Sequence, residues 1–411
     1  MPSLGSIDEQ SLAGALATGT HGSSLAHGLL SEAVVGLRLT RADGRTVDCA
    51  ADDDDDGGEL FRGALLSLGA LGVVVALELR VVPAFRLRWH QTVDADRRLF
   101  AAWPRRLWSQ AEFVRVWWFP YTRRAVVWRA DKVADDDDDD DDDDDPPPGW
   151  CDRPLGFHLY RNLLLLAHWL PRLLPWIEWF VCGMQYGFGD GAATSATQPS
   201  ARALLMNCLY AQTVNEWAVP LHRGPEALRR LGAWLARLPP GHPDYVEHGI
   251  PFSADGLWVH APVEVRVAAP ARPARPRPLL DPTVDDGPTL YLNATLYRPY
   301  GRDPPCRDRY YAAFEWLMRD LGGRPHWAKN FTAGREDLDA MYGPRLARFR
   351  RLRHALDPDG LFLGPWHREH LMPDEPPLPL EEVQTDCCPA PGGGLRVFGC
   401  VPGCDADDED P

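Results

Sequence analysis

Glu264 and Arg266 stand two residues apart in VHAPVEVRVAA, a run whose β-branched residues suit a strand. Side chains two apart on a strand point to the same face. An acid and a base so placed can form a fixed ion pair. They can also present a guanidinium to a substrate oxygen while the carboxylate locks its orientation. Taken alone, a Glu-x-Arg pair is more often an ordinary surface pair. His326, Trp327 and Lys329 form HWAKNF. A lysine beside aromatics and a histidine can serve as a base or an electrophile, although a surface lysine next to a packed tryptophan is the plainer reading. Thr295 in LNATLY faces one side of its segment and can donate a hydrogen bond, or be an average strand threonine. His21 lies between Thr20 and Gly22 in ATGTHGSS, residues 17–24, where it most simply orders the turn. There is no Ser-His-Asp order, no phosphate-binding loop and no GxGxxG. No basic patch with interleaved aromatics points to nucleic acid.

These residues need elements to bring them together. Residues 1–85 read as one α+β block with antiparallel strands. VVGLRLT and RTVDCA are strands around a turn at Ala42-Asp43-Gly44, since Asp-Gly between alternating apolar runs is a hairpin signal. ELFRGALLSLGALG predicts a short helix ending at Gly69 or Gly72, and VVVALELRVVP a long strand stopped by Pro83. FVRVWWFPYT and AVVWRADKV suit sheet strands. LWVHAPVEVRVAA and TLYLNATLY are further strands, with ARPARPRP as a polar loop between them. EALRRLGAWLARL is an amphipathic helix, and RDRYYAAFEWLMRDLGG a helix closed by glycines.

The most apolar stretch runs from Leu155 to Val181. Leu159, Leu163, Leu166, Leu170, Leu173 and Ile177 recur at helical spacing. A membrane span needs about 20 uninterrupted apolar residues; here Arg161, Arg172 and Glu178 interrupt, and Pro171 and Pro175 kink a helix. Two readings remain. One is a helix pair in the domain core, which the residues favour. The other is an interfacial segment with Trp169, Trp176 and Trp179 at headgroup depth.

The 411 residues suffice for two domains, and 45% apolar content supports a sizeable core. The net charge of −16 says little about partners, because Asp52–Asp56 and Asp135–Asp145 supply 5 and 11 of those charges. Such runs are self-repelling and read as disordered loop insertions; they lack the fixed turn of a calcium site. Nine irregularly spaced cysteines argue against a disulfide framework and for a reducing compartment. Cys387, Cys388, Cys400 and Cys404 lack paired CxxC hairpins, so a metal site is not expected. Residues 376–411 read as a disordered acidic tail.

ATGTHGSS, with its glycine turn and flanking hydroxyls, suits the polar parts of a flavin. It resembles the flavin-contacting segment of the vanillyl-alcohol-oxidase-type flavoproteins. Together with LGSIDEQSLAG, HGLLSE, LGALGVV, MNCLYAQTVNEWAVPL, VEVR, HWAKNF and LDPDGLFLGPWH, it makes the chain similar to the aldonolactone oxidases, which include gulonolactone and galactonolactone enzymes. The resemblance spans residues 4 to about 370. It implies an α+β fold with an FAD-binding domain over 1–85 and a substrate-covering cap domain over 86–375, LDPDGLF returning to the flavin domain. It implies FAD contacts at Ser11, Gly19, Thr20, His21, Gly22, Ser23, Ser24, Val73 and Val74. It implies catalytic roles for Glu264, Arg266 and Lys329, and substrate contacts at Thr295 and His326. The expected reaction is oxidation of a sugar 1,4-lactone at C2, with dioxygen as acceptor and an ascorbate-type acid and hydrogen peroxide as products. Peripheral membrane association, mitochondrial in location, is also expected, with a cytoplasmic location as the alternative. The family's earlier glycine-rich Gly-His-Ser loop does not precede Met1. Part of the FAD-binding domain is therefore expected to be missing, and a non-catalytic remnant is the alternative. An alditol or other sugar oxidase is a second alternative, since these residues do not fix the sugar.

Overall fold

The computed structural model describes residues 1–51, 56–103, 106–133, 146, 148–206, 208–260, 262–272 and 275–372. Asp52–Asp55, the whole run 135–145, and Cys387, Cys388, Cys400 and Cys404 lie outside the described residues.

Two antiparallel sheets organise the chain. The smaller contains β1 (Val34–Thr40), β2 (Thr46–Ala50) and β3 (Val73–Leu79), in the order β2-β1-β3. Its hairpin turns where the sequence places it: Gly44 has φ +77°, a conformation that suits glycine, and Asp43 Oδ1 accepts from Arg45 N. The larger sheet contains β4 (Arg86–Ala95), β5 (Phe113–Phe119), β6 (Arg124–Lys132), β7 (Ala193–Pro199), β8 (Gln212–Pro220), β9 (Val263–Ala268), β10 (Thr289–Tyr297) and β11 (Arg324–Pro325). Their order is β11-β8-β10-β9-β5-β6-β4-β7. The last strand of the small sheet ends at Leu79 and the first of the large sheet begins at Arg86.

One buried core nevertheless runs from Ala15 to Met372. Helix Pro344–Leu356 packs on helix Asp56–Ala64, where Gly63 leaves room for Leu352: a Cβ on Gly63 would meet Leu352 Cδ2 at 2.5 Å. His367 Nε2 then hydrogen-bonds Leu68 O at 2.9 Å. The residues flanking LDPDGLF thus pack on the N-terminal block.

Several elements differ from their sequence-based expectation. The helix expected to reach Gly69 ends at Ala64. Leu68 and Gly69 both have positive φ, which no α-helix accommodates, and the turn buries Leu65, Leu66, Ala70 and Leu71. Strand β3 stops at Leu79 rather than Pro83, because its partner β1 begins at Val34, opposite Leu79. Strand β9 begins at Val263, after Pro262, which has no N–H to give the ladder.

The apolar stretch forms helices Pro154–Leu166 and Leu174–Tyr186, separated where Pro171 interrupts. The core reading favoured by the sequence holds for one face only. Tyr160, Leu164, Ala167, Leu174, Ile177 and Val181 are buried. Leu159, Leu166 and Leu170 of the expected stripe face solvent, because the first helix turns the face one residue on, that of Tyr160, Leu164 and Ala167, into the core. Leu155 is 77% exposed and Trp169 64%, with Trp176 and Trp179 half exposed. Glu178 anchors the pair to the sheet: its Oε1 accepts Tyr121 N at 3.0 Å and Thr122 N at 2.8 Å.

Candidate active site

Alternation along four neighbouring strands builds one polar face. Glu216 on β8 is paired with Asn293 on β10, Asn293 with Glu264 on β9, and Glu264 with Trp117 on β5. One step along, Arg266 lies beside Tyr291. The odd-numbered neighbours on β8 face the other way. Trp217 Nε1 donates to Asn215 at 2.8 Å, and Asn215 Nδ2 donates to Glu315 of helix Arg307–Asp320 at 2.7 Å. NEWAVP therefore splits into a core-facing set and a site-facing glutamate.

This face floors a cavity of about 810 Å³. Glu264, Arg266, Thr295, His326 and Lys329 line it, with Thr20 and His21 on the adjoining wall. The two strand motifs and HWAKNF, more than 60 residues apart at their extremes, thus meet. Strand β11 explains the third: His326 N donates to Glu216 O at 2.9 Å, while Trp327 turns to the core and donates to Leu280 O at 2.7 Å. The opposite wall is largely aromatic and apolar, with Trp150, Tyr160, Val181 and Tyr186.

ATGTHGSS has a different share in the site than its hydroxyls suggest. Strands β5 and β9 pair only from Val116 to Trp118; beyond that, Ser23 and Ser24 fill the gap. Ser24 N donates to Val267 O at 2.9 Å, and Val114 N donates to Ser23 O at 3.2 Å. Ser23 Oγ donates to Val114 O and accepts from Val267 N, and Ser24 Oγ donates to Glu112 O. Both hydroxyls are used inside the protein. Gly22 packs so tightly that a Cβ would meet Ser3 Oγ at 2.1 Å. Ser11 caps helix Leu12–Ala17, accepting from Gly14 N. Gly19 has φ +74° and shapes the turn. Val73 and Val74 belong to β3, the edge of the small sheet, and Val73 is half exposed. Of the nine residues carried over for the cofactor, Thr20 and His21 line the cavity; the other seven do not.

His21 does more than order its turn. Nδ1 hydrogen-bonds Gly22 O at 2.8 Å, its ring stacks on Tyr291 at 3.5 Å, and Nε2 points to Glu216 Oε1 at 3.4 Å. Arg266 Nη2 donates to the same Glu216 oxygen at 2.6 Å, and Nη1 donates to Ser6 Oγ at 3.1 Å. Glu264 is farther from Arg266: Oε2 lies 3.6 Å from Nε. Arg115 on β5 approaches Glu264 from the other side, also at 3.6 Å. Thr295 Oγ1 donates to Asn293 Oδ1 at 2.7 Å, so its hydroxyl proton is held within the protein.

Burial and charge act together here. Burial works to raise the Glu216 carboxyl, but Arg266 with His21 and His326 holds it well below the usual carboxylate range. Burial lowers both His21 and His326, the latter to about 3, so both rings are neutral near pH 7. Burial opposes the charge on Arg266, and Glu216 and Glu264 restore it, raising the group. His21, Glu216 and His326 place one ligand atom each within 4.8 Å of one another, as a metal site would. The Arg266 guanidinium already occupies the carboxylate oxygen, so the cluster's charge is balanced without an ion.

The sequence reading missed Glu216, Asn293, Arg115 and Ser6. The available signal was weak: a lone glutamate inside a run of apolar residues, in a strand whose neighbours were not known.

Comparison with known proteins bears on what such a site belongs to. The D-arabinono-1,4-lactone oxidase family profile matches residues 77–370. A Neurospora crassa protein provisionally named D-arabinono-1,4-lactone oxidase is 55% identical over 417 residues, covering 97% of this chain and 74% of that protein. The D-arabinono-1,4-lactone oxidase of Yarrowia lipolytica is 37% identical, covering 89% of this chain and 76% of its own length. That of Saccharomyces cerevisiae is 34% identical, covering 88% and 75%. Among solved structures, cholesterol oxidase from B. sterolicum aligns with a TM-score of 0.70 at 15% identity, over 90% of this chain and 76% of that one. A solvent-stable cholesterol oxidase aligns at 0.66 and 18%, over 89% and 76%. These two likenesses concern the fold alone, an architecture of helices and sheets. By its profile match and its relatives, this chain belongs to the D-arabinono-1,4-lactone oxidase family of oxidoreductases.

Proposed function

We propose that this protein oxidises an aldono-1,4-lactone, D-arabinono-1,4-lactone or a close analogue, at C2. FAD is the cofactor and dioxygen the final acceptor, giving an ascorbate-type product and hydrogen peroxide. The observation that carries this reading is the meeting of Glu264, Arg266, Thr295, His326 and Lys329 on one cavity with Thr20 and His21. The names of the relatives supply the substrate class.

The residues present fit a flavin. The cavity is of the size that encloses a drug-sized ligand. Gly5, Ser6, Gln10, Thr20 and His21 form one wall, and His21 Nε2 is buried without a hydrogen-bond partner. These residues would hold the ring end of FAD, which supplies the hydride acceptor. The rest of the chemistry falls to side chains. Arg266, kept charged by Glu216, stabilises negative charge developing on the C2 oxygen. Lys329 takes or holds the hydroxyl proton. Thr295 and His326 line the sugar's place; His326, neutral near pH 7, accepts Ala328 N at Nδ1, so its Nε2–H is the group that can donate there. The aromatic wall excludes water.

The test is expression of this chain, a visible spectrum for bound flavin, and a panel of aldonolactones and alditols followed by peroxide release. Lactone-dependent peroxide supports the reading. Turnover of alditols alone favours the broader sugar-oxidase reading, and a colourless protein removes the flavin assignment.

We also propose peripheral membrane association through helices Pro154–Leu166 and Leu174–Tyr186. Among the described residues no helix is long and apolar enough to cross a membrane. The exposed face carries Leu155, Trp169, Leu170, Trp176 and Trp179. From Arg153 to Gly189 the one acidic residue, Glu178, is buried, while Arg153, Arg161 and Arg172 remain. In a chain of net charge −16, an apolar stretch with no exposed carboxylate between Asp152 and Asp190 suits an anionic bilayer surface.

A further inference from the structure

Arg266 has two carboxylates within reach, and the structure gives them unequal shares. Glu216 Oε1 receives Nη2 at 2.6 Å, whereas Glu264 Oε2 stands 3.6 Å from Nε. Glu216 is fully buried in the middle of β8 and is held from every side. Asn293 Nδ2 donates to its other oxygen at 3.4 Å, and its backbone carbonyl accepts His326 N. It cannot swing away without emptying a buried site. Glu264 lines the cavity, its Oε1 facing Arg115 Nε at 3.6 Å and its Oε2 facing Arg266 Nε at the same distance, neither contact a hydrogen bond. Arg266 Nε is buried and has no hydrogen-bond partner.

We propose that Glu216 is the positioning residue for Arg266, and that this arrangement leaves the Glu264 carboxylate available to a substrate hydroxyl at the cavity it lines. This rests on the reading of the cavity as the lactone site. A guanidinium fixed through Nη2 and Nη1, by Glu216 and Ser6, keeps Nε 3.6 Å from Glu264 Oε2, short of a hydrogen bond. Without Glu216, the buried cation has Glu264 as its remaining carboxylate partner within reach. It then closes onto Glu264 and consumes the acceptor that the hydroxyl needs. The sheet register makes the division possible: Asn293 separates the two glutamates by one strand, so one lies behind Arg266 and the other beside it.

The experiment compares Arg266→Ala, Glu216→Gln, Glu216→Asp and Arg266→Ala/Glu216→Gln in the flavin-loaded protein. Glu216→Gln should lower kcat/KM for the lactone at least about tenfold, as loss of an oriented electrostatic donor does. Glu216→Asp, which keeps the charge, should recover part of that loss. A second readout does not need turnover. Methylguanidinium at millimolar concentration should raise the melting temperature of Arg266→Ala, by filling the vacated slot against Glu216, and should not raise that of the double variant. Equal stabilisation of both would overturn the proposal even if Glu216→Gln fails to fold. So would a Glu216→Gln variant with unchanged kcat/KM while Arg266→Ala is impaired. Unchanged turnover in Arg266→Ala itself would sink the lactone-site reading instead, and is distinguishable on that ground.

Discussion

Glu264 and Arg266 share a strand face without forming a close ion pair: Arg266 Nε lies 3.6 Å from Glu264 Oε2, and the guanidinium's short contact is to Glu216 on another strand. Glu264 is therefore not the main anchor that the sequence makes it. Arg266 is held from below and presents an edge to the cavity.

Replacing Arg266 by alanine should cost at least about tenfold in kcat/KM for the lactone, since one electrostatic donor to a developing oxyanion is worth that or more. Steady-state kinetics with flavin occupancy measured in parallel give the answer. Unchanged turnover at full occupancy would remove Arg266 from the mechanism.

Ser23 should matter for folding. Its hydroxyl ties Val114 O and Val267 N across the gap between β5 and β9. Ser23→Ala leaves both backbone groups short of a partner and should cost about 1–3 kcal/mol. Chemical denaturation measures this. A variant with native stability and reduced flavin affinity would restore the cofactor role that the resemblance implies.

Glu178 makes stability depend on pH. Burial raises its carboxyl to about 8, against the lowering effect of hydrogen bonds from Thr122 and Tyr121. Oε2 is buried and unpartnered, so the protonated form is favoured. A carboxyl raised in the folded state binds its proton more tightly there than in the unfolded chain. Its contribution is full below the unfolded value of 4.5 and is lost as pH rises through about 8. Glu178→Gln keeps the acceptor for both backbone N–H groups without the charge. It should melt about 2 °C or more above the parent at pH 9, with the difference vanishing near pH 5. A pH-independent difference would contradict this origin.

The exposed tryptophans should govern any membrane binding. Replacing Trp169, Trp176 and Trp179 together by serine should weaken binding to anionic vesicles at least about tenfold, given the apolar area each ring can bury. Co-sedimentation is the measurement. Equal binding by parent and variant would place the contact elsewhere, and no binding by the parent would remove the proposal.

Much of the architecture could be read directly. The hairpin at Asp43-Gly44, strand β10 and the helix closed by Gly322 follow from local signals that neighbours do not override. The resemblance carried Glu264, Arg266, Thr295, His326 and Lys329 to the site, and the cavity brings them together. What failed depended on partners distant in the chain. Strand β3 ends where its antiparallel partner β1 begins, and the helix before it stops because Leu65, Leu66 and Leu71 have a core to enter. The serines of ATGTHGSS look free in the sequence, and only the parting of β5 and β9 shows what their hydroxyls satisfy.

Side-chain types and strand periodicity by themselves determined that Glu264 and Arg266 share a face, because alternation is a property of one strand. Which carboxylate holds Arg266 was decided by tertiary structure alone. Glu216 lies 50 residues away, and it comes within 2.6 Å because β10 enters the sheet between β8 and β9 in a register that sets Asn293 between the two glutamates. Strand order and register are set by the whole sheet and its core, and a single strand's sequence does not contain them.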